Sequence, residues 1–259
     1  MEQAKLPGRQ SASSWHAKFI AEERLVPETT RRRLYLTAWA LISIGLAAFL
    51  LLLFGVLTQT GFQQLDQPVE AWFLAHRSTP VTTFMVALAI AFGPVTLPIV
   101  VMAVLVVWTV LAKHAWRPLL LAAGMVTGLL LAQIIAPMVR HPRPPLGSML
   151  FGPDTTFSFP SGHVLGTSDF LLLLAFLLAS RHQKRGFTIV SVCIAVLLIL
   201  AQVASRLYLG YHWISDTTAS LALSLVVVGI VMAADTARTV PTPGERAKGT
   251  PTQTRDDGS

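Results

Sequence analysis

Apolar and polar stretches alternate along this chain on the length scale of a bilayer. Residues 34–57, 81–111, 119–139, 164–179, 187–204 and 213–234 are predominantly apolar, and the segments between them are polar or rich in proline and glycine. A helical crossing of the hydrocarbon core takes about 20 mostly apolar residues, so the pattern predicts an all-α polytopic membrane protein, a bundle of six transmembrane helices. One run is irregular. Residues 81–92 are too short to cross alone, Gly93-Pro94 interrupts them, and 95–111 continue. A proline lacks the backbone donor a helix interior needs, so 81–111 reads as one crossing with a broken or re-entrant outer part. Between the first two crossings, Val69, Trp72 and Phe73 mark an amphipathic stretch suited to the outer membrane face. Ahead of the first crossing, Trp15, Phe19 and Val26 stand at near-helical spacing, which fits either an interfacial helix or a disordered tail.

Composition sharpens this picture. The chain is 53% hydrophobic and 13% charged, whereas about a quarter of the residues in soluble domains are charged. The net charge of +7 could suggest a nucleic-acid partner, yet the basic residues fall in short clusters between apolar spans: Arg31-Arg32-Arg33, Lys113 to Arg117, and Arg181 to Arg185. With six crossings all three clusters lie on one side, the cytoplasmic side by the positive-inside rule, and both termini lie there too. No nucleic acid is expected. Cys193 is the sole cysteine and sits in an apolar run, so it is lipid-facing or packed, with no disulfide or zinc-type spacing. The first apolar run is too deep and too long for a cleaved signal peptide and reads as a retained anchor. The expected divisions are a cytoplasmic segment over 1–33, a membrane domain over 34–235, and a disordered tail over 236–259 rich in Thr, Pro, Gly and charge.

Chemistry-bearing residues concentrate on the side away from the basic clusters. Pro160-Ser161-Gly162-His163 opens the fourth crossing, where Pro and Ser are helix-start residues. Unpaired N–H groups at such a start form a ready anion site; Gly162 admits an anion close to the backbone and His163 adds a titratable proton donor. His212 and Asp216 are four apart at the start of the sixth crossing and share one helix face. The carboxylate can hold one imidazole nitrogen and leave the other free as a nucleophile or base, although a His–Asp pair that merely caps a helix has the same spacing. Arg143 and Arg206 end the third and fifth crossings and supply planar, bidentate donors for a phosphate-like anion.

Arg143-Pro144, Pro160-Ser161-Gly162-His163, and Ser205-Arg206 followed by His212 and Asp216 together resemble the three-part signature of the type 2 phosphatidic acid phosphatase superfamily, which also includes the vanadium-dependent haloperoxidases. The resemblance spans residues 60–235 or so. It implies that His212 attacks phosphorus to form a phosphohistidine, that Asp216 orients it, and that His163 protonates the leaving oxygen and then activates water. Arg143, Arg206, Ser161 and the N–H of Gly162 would bind the phosphoryl oxygens. No metal or cofactor is implied, in keeping with the lack of an acidic cluster. The first block departs from the pattern: its lysine, seven residues before the arginine, is Ala136 here, and the position often held by a further arginine is His141. Arg140, one turn on from Ala136, is expected to supply that charge.

The implied function is a lipid phosphatase integral to a bacterial plasma membrane, acting at the extracytoplasmic face on a lipid phosphate that enters from the bilayer. Polyprenyl diphosphates (undecaprenyl diphosphate among them) rank first, then phosphatidic acid and phosphatidylglycerol phosphate. A lipid phosphotransferase using the same intermediate and a catalytically degenerate scaffold are the alternatives. Asp169, inside the fourth crossing, points to a different face from His163 and is expected to make a buried contact with a Ser or Thr. His16, His76, His114 and His182 read as solvated or interfacial.

Overall fold

A computed structural model describes Arg24 and residues 26–112 and 114–240. Among the described residues every long element is a helix: α1 (Glu28–Thr58), α2 (Asp66–Ala75), α3 (Thr79–Ala91), α4 (Thr96–Leu111), α5 (Trp116–Val139), α6 (Gly162–His182), α7 (Arg185–Tyr208) and α8 (Ile214–Thr239), with short 3-10 turns at Gly61–Leu65 and Leu146–Ser148. The helices α1, α5, α6, α7 and α8 are each long and apolar enough to cross a membrane. Helices α3 and α4 are long and apolar enough only as a pair and meet at a 48° bend, the geometry of a broken span or a re-entrant loop. That break falls at Gly93-Pro94, where the sequence places it.

Burial separates the helices by role. More than half of the apolar windows of α6 and α8 is buried, against less than a third for α1, α5 and α7. The last three present side chains such as Leu51, Met138 and Leu197 outward, as a lipid-facing surface requires. Cys193 on α7 is exposed in the same way. Leu121, Leu173, Leu177, Val227 and Val231 fill the core between α5, α6 and α8. A second cluster packs Phe49 and Leu52 of α1 against Phe159, Leu165, Ala219 and Leu223, directly beneath the polar end that carries the motifs.

Close approach of α1 and α8 depends on two glycines. A Cβ built on Gly45 would lie 2.6 Å from the Ala222 carbonyl oxygen, and one on Gly229 would lie 2.7 Å from that of Ala38. Small residues at such seams let helix backbones meet where no hydrophobic force drives association.

Two boundaries differ from expectation. Helix α1 starts at Glu28, so the basic triplet lies on the helix, and α8 continues to Thr239, beyond the expected end at 234. The α8 extension carries a buried polar knot at the end of the bundle opposite the motifs. Arg24 donates from Nη2 to Asp235 Oδ2 (2.8 Å) and from Nε to Thr239 Oγ1 (3.0 Å), and Ser180 Oγ donates to Asp235 Oδ2 (2.9 Å). Polar residues satisfied in this way no longer force the helix to end. The segment around Trp15 and Phe19, read as either an interfacial helix or a disordered tail, and the tail from residue 241 on lie outside the described residues.

Candidate active site

Three polar segments meet at one end of the bundle: the α5–α6 loop, the α7–α8 turn and the start of α2. The α7–α8 turn is shaped by Gly210, whose φ of +77° lies in the left-handed region and whose Cβ would sit 2.3 Å from the Ser148 carbonyl oxygen. Only glycine fits both demands. Arg77 braces the turn by donating to the carbonyls of Tyr208 and Ser148. From the other side Asp66 on α2 accepts from Ser215 N (2.9 Å) and Ser215 Oγ (2.7 Å), which satisfies a free donor at the N-terminus of α8. Burial pushes the Asp66 carboxyl up to about 6, against the lowering effect of those hydrogen bonds.

Asp216, in the first turn of α8, is fully buried. Its Oδ1 faces His141 Nδ1 at 2.9 Å. Its Oδ2 accepts from Trp213 N (2.8 Å) and, through a short bond, from Ser158 Oγ, and lies 3.5 Å from His212 Nδ1. His212 is buried as well; its Nδ1 lies 3.0 Å from the Ser158 carbonyl oxygen, and its Nε2 faces Arg143 Nη1 at 3.3 Å. A guanidinium only donates and a carbonyl only accepts. The imidazole therefore carries its proton on Nδ1 and keeps the Nε2 lone pair free. Burial, with Arg206 and Arg143 nearby, pushes this imidazole down to about 4 despite the opposing pull of Asp216.

Around Nε2 the cations converge. Arg143 donates to the carbonyls of Tyr211 (2.7 Å) and Thr156 (3.1 Å) and to Thr156 Oγ1 (2.9 Å), and pairs with Asp154 Oδ2 at 3.0 Å. Burial works to raise Asp154, but the Thr156 hydrogen bonds and Arg143 outweigh it and hold the carboxyl below its ordinary range. Arg206 is buried under the Tyr211 ring, 4.5 Å from its centroid, and its Nε finds no partner among the described residues. His163 is half-buried, and Arg206, His212, Arg143 and Asp154 are the titratable groups that act on it. Ser161 caps α6, accepting from Val164 N at 3.4 Å, and is tied to α8 through Ser220. A Cβ on Gly162 would meet nothing within 4 Å, so the space over this helix start is open.

The arrangement thus brings His212, Asp216, His163, Arg143, Arg206, Ser161 and Gly162 to one end. Arg140 stands apart from the His212 contacts: it is exposed, sits in a left-handed conformation, and donates from Nε to the Pro137 carbonyl at 3.1 Å. Asp169 is fully buried against Gly128, where a Cβ would lie 1.9 Å from Oδ2, and Ser224 is its polar neighbour. The sequence reading missed Ser158, Asp66 and Asp154, and saw His141 only as a departure from a pattern. No spacing rule connects residue 141 or 158 to residue 216, or residue 66 to residue 215. Among the described residues no group of three His, Cys, Asp or Glu side chains is placed to hold a metal ion.

Residues 117–239 match the family model of the PAP2 superfamily, an interval that contains all of the gathered motif residues. The chain is 29% identical over 129 residues to phosphatidylglycerophosphatase B of Bacillus subtilis (strain 168); the match covers 48% of this chain and 60% of that relative. Among solved structures it is similar to a transmembrane PAP2-type phosphatidylglycerolphosphate phosphatase from Bacillus subtilis, with a TM-score of 0.66 at 20% identity, covering 74% of this chain and 96% of that one. It is also similar to LpxE of Aquifex aeolicus, with a TM-score of 0.52 at 20% identity, covering 66% of this chain and 95% of that one. These two likenesses speak to the fold, a membrane helix bundle, while the sequence match rests on the segment from α5 to α8. Over residues 117–239, the segment that carries the signature at Arg143, His163, Arg206, His212 and Asp216, the chain is similar to the PAP2 superfamily.

Proposed function

We propose that this protein is a membrane lipid phosphatase that removes a phosphate from a lipid phosphomonoester or diphosphate at the extracytoplasmic face, through a phosphohistidine on His212. The observation that carries the reading is the state of His212: Nδ1 is tied down by Ser158 and Asp216, while the Nε2 lone pair points at the Arg143 guanidinium. An anion drawn to Arg143 and Arg206 brings its phosphorus to that lone pair. Nε2 forms the bond to phosphorus as the bond to the lipid oxygen breaks, and His163 gives that oxygen its proton. The imidazolium charge that develops is balanced by Asp216. Water, losing its proton to His163, then attacks phosphorus and releases inorganic phosphate and neutral His212. Arg143, Arg206, Ser161 and the Gly162 N–H neutralise the phosphoryl oxygens throughout. The reading needs no metal.

Polyprenyl diphosphates, phosphatidic acid and phosphatidylglycerol phosphate are the substrate classes that fit, since the phosphate-binding groups sit at helix ends where lipid head groups lie. Purified protein in detergent is expected to release phosphate from at least one of these lipids, with chelator present or absent. No release from any, or activity abolished by chelator, contradicts the reading. Arg140 would have to leave the Pro137 carbonyl to supply the cation missing at Ala136. If it does so, Arg140→Ala lowers kcat/KM by about 100-fold, the cost of losing one oxyanion donor; unchanged kcat/KM excludes that role.

A further inference from the structure

Asp216 carries two imidazoles, one on each oxygen. His212 faces Oδ2, as the proposed chemistry requires, and His141 faces Oδ1 at 2.9 Å. Nothing in the nucleophile's own requirements calls for this second ring. It is nonetheless built in with care: its exposure is 8%, Phe159 stands edge-on to it, and Trp213 lies against it at a centroid distance of 6.5 Å. The backbone on both sides is fixed as well. The His141 carbonyl accepts from Ser158 N, and the Pro142 carbonyl accepts from Trp213 Nε1. The α5–α6 loop is thereby latched to the start of α8 across the carboxylate.

We propose that His141 is a positioning residue that sets the orientation of Asp216 and, through it, of His212. A carboxylate rotates about its last bond unless both oxygens are held. With Oδ1 held by His141, Oδ2 is turned to its three other neighbours: Trp213 N, Ser158 Oγ and His212 Nδ1. Without that bond, Oδ1 is a buried acceptor with no donor, and an unmet buried acceptor reorients toward whatever donor it can reach. Oδ2 then leaves the His212 side, and the Nε2 lone pair loses its aim and its support as positive charge develops. His141 acts through Asp216, to which its Nδ1 is committed, so the loss is expected on kcat rather than on KM.

This inference rests on the proposed role of His212, and the test separates the two. Three substitutions at position 141 differ in where they put a donor. Asparagine places its amide nitrogen where Nδ1 stands, glutamine carries the same amide one methylene further out, and phenylalanine keeps the ring without any donor. With whichever lipid phosphate the panel identifies, His141→Phe is expected to lower kcat by about 10- to 100-fold, the range seen when a partner that orients a reacting group is removed. KM should stay within about threefold. His141→Asn is expected to recover most of the lost kcat, and His141→Gln to recover less. If His141→Phe proves unfolded by size-exclusion chromatography in detergent, the Asn and Gln pair decides alone, because both keep polarity and differ in donor position. Wild-type kcat in His141→Phe, or equal losses in the Asn and Gln variants, overturns the inference. His212→Asn, run alongside, tests the underlying reading separately: activity that survives it defeats the phosphohistidine and leaves His141 with no role to support.

Discussion

At the scale of single residues, the site is a set of buried polar groups whose partners decide their chemistry. His212 is the clearest case. Its imidazole is pushed down to about 4, chiefly by burial, so Nε2 keeps its lone pair well below the ordinary histidine value of about 6.5. A nucleophile must be unprotonated, so kcat/KM should hold steady through mildly acid pH and fall only as pH drops toward about 4. A pH–rate profile checks this, and an acid limb near 6.5 contradicts it. The same shift has a stability consequence with a definite sign. The unfolded chain takes up this proton first, so the contribution of His212 to stability is complete above about 6.5 and declines as pH falls toward 4. Most of the charged site was legible in the sequence because its members come as short local patterns, such as Pro160 to His163 or the four-residue step from His212 to Asp216. Ser158, His141 and Asp66 were not legible as partners of Asp216 and its neighbour Ser215. Their contacts join segments 58 to 149 positions apart, and no local period encodes a meeting at that distance.

At the scale of helices, the apolar runs gave the five long spans and the break between α3 and α4, because a crossing of hydrocarbon demands one run length. The helix ends were less legible. Where α8 stops depends on Arg24, a residue remote in sequence that satisfies Asp235 and Thr239. Packing between helices was likewise invisible, since a glycine in a greasy run carries no sign of what it faces. Gly45 and Gly229 let α1 and α8 close on each other's carbonyls. Glycine to alanine within a helix ordinarily favours the helix by about 0.5–1 kcal/mol. Here the added methyl must push the facing backbones away from each other, a strain of about 1–3 kcal/mol. Gly45→Ala and Gly229→Ala should each lower the melting temperature in detergent by several degrees. Gly147→Ala, where a Cβ meets nothing within 4 Å, should leave it unchanged. Equal melting temperatures for all three would contradict a tight α1–α8 seam.

At the scale of the whole molecule, charge and chemistry separate to opposite ends of the bundle. Arg24, Arg181 and Arg185 lie at one end; Arg143, His163, His212 and Asp216 lie at the other. In the proposed reading the basic end faces the cytoplasm by the positive-inside rule and the site faces outward, which labelling from either side tests. In a Cys193→Ala background, Gly147→Cys should react with a membrane-impermeant thiol reagent on intact cells, whereas Gly186→Cys should react only after permeabilisation. The reverse pattern would put the site inside. The central claim is that this outward end gathers three distant segments around one phosphoryl group and passes it to His212. Its most direct test is rapid quenching of the wild-type protein during turnover of a lipid labelled in its phosphate. The account predicts a transient protein-bound phosphate that is labile to acid, stable to base, and maps to the peptide containing His212. Steady release of phosphate with no such intermediate, or label on a different residue, contradicts it.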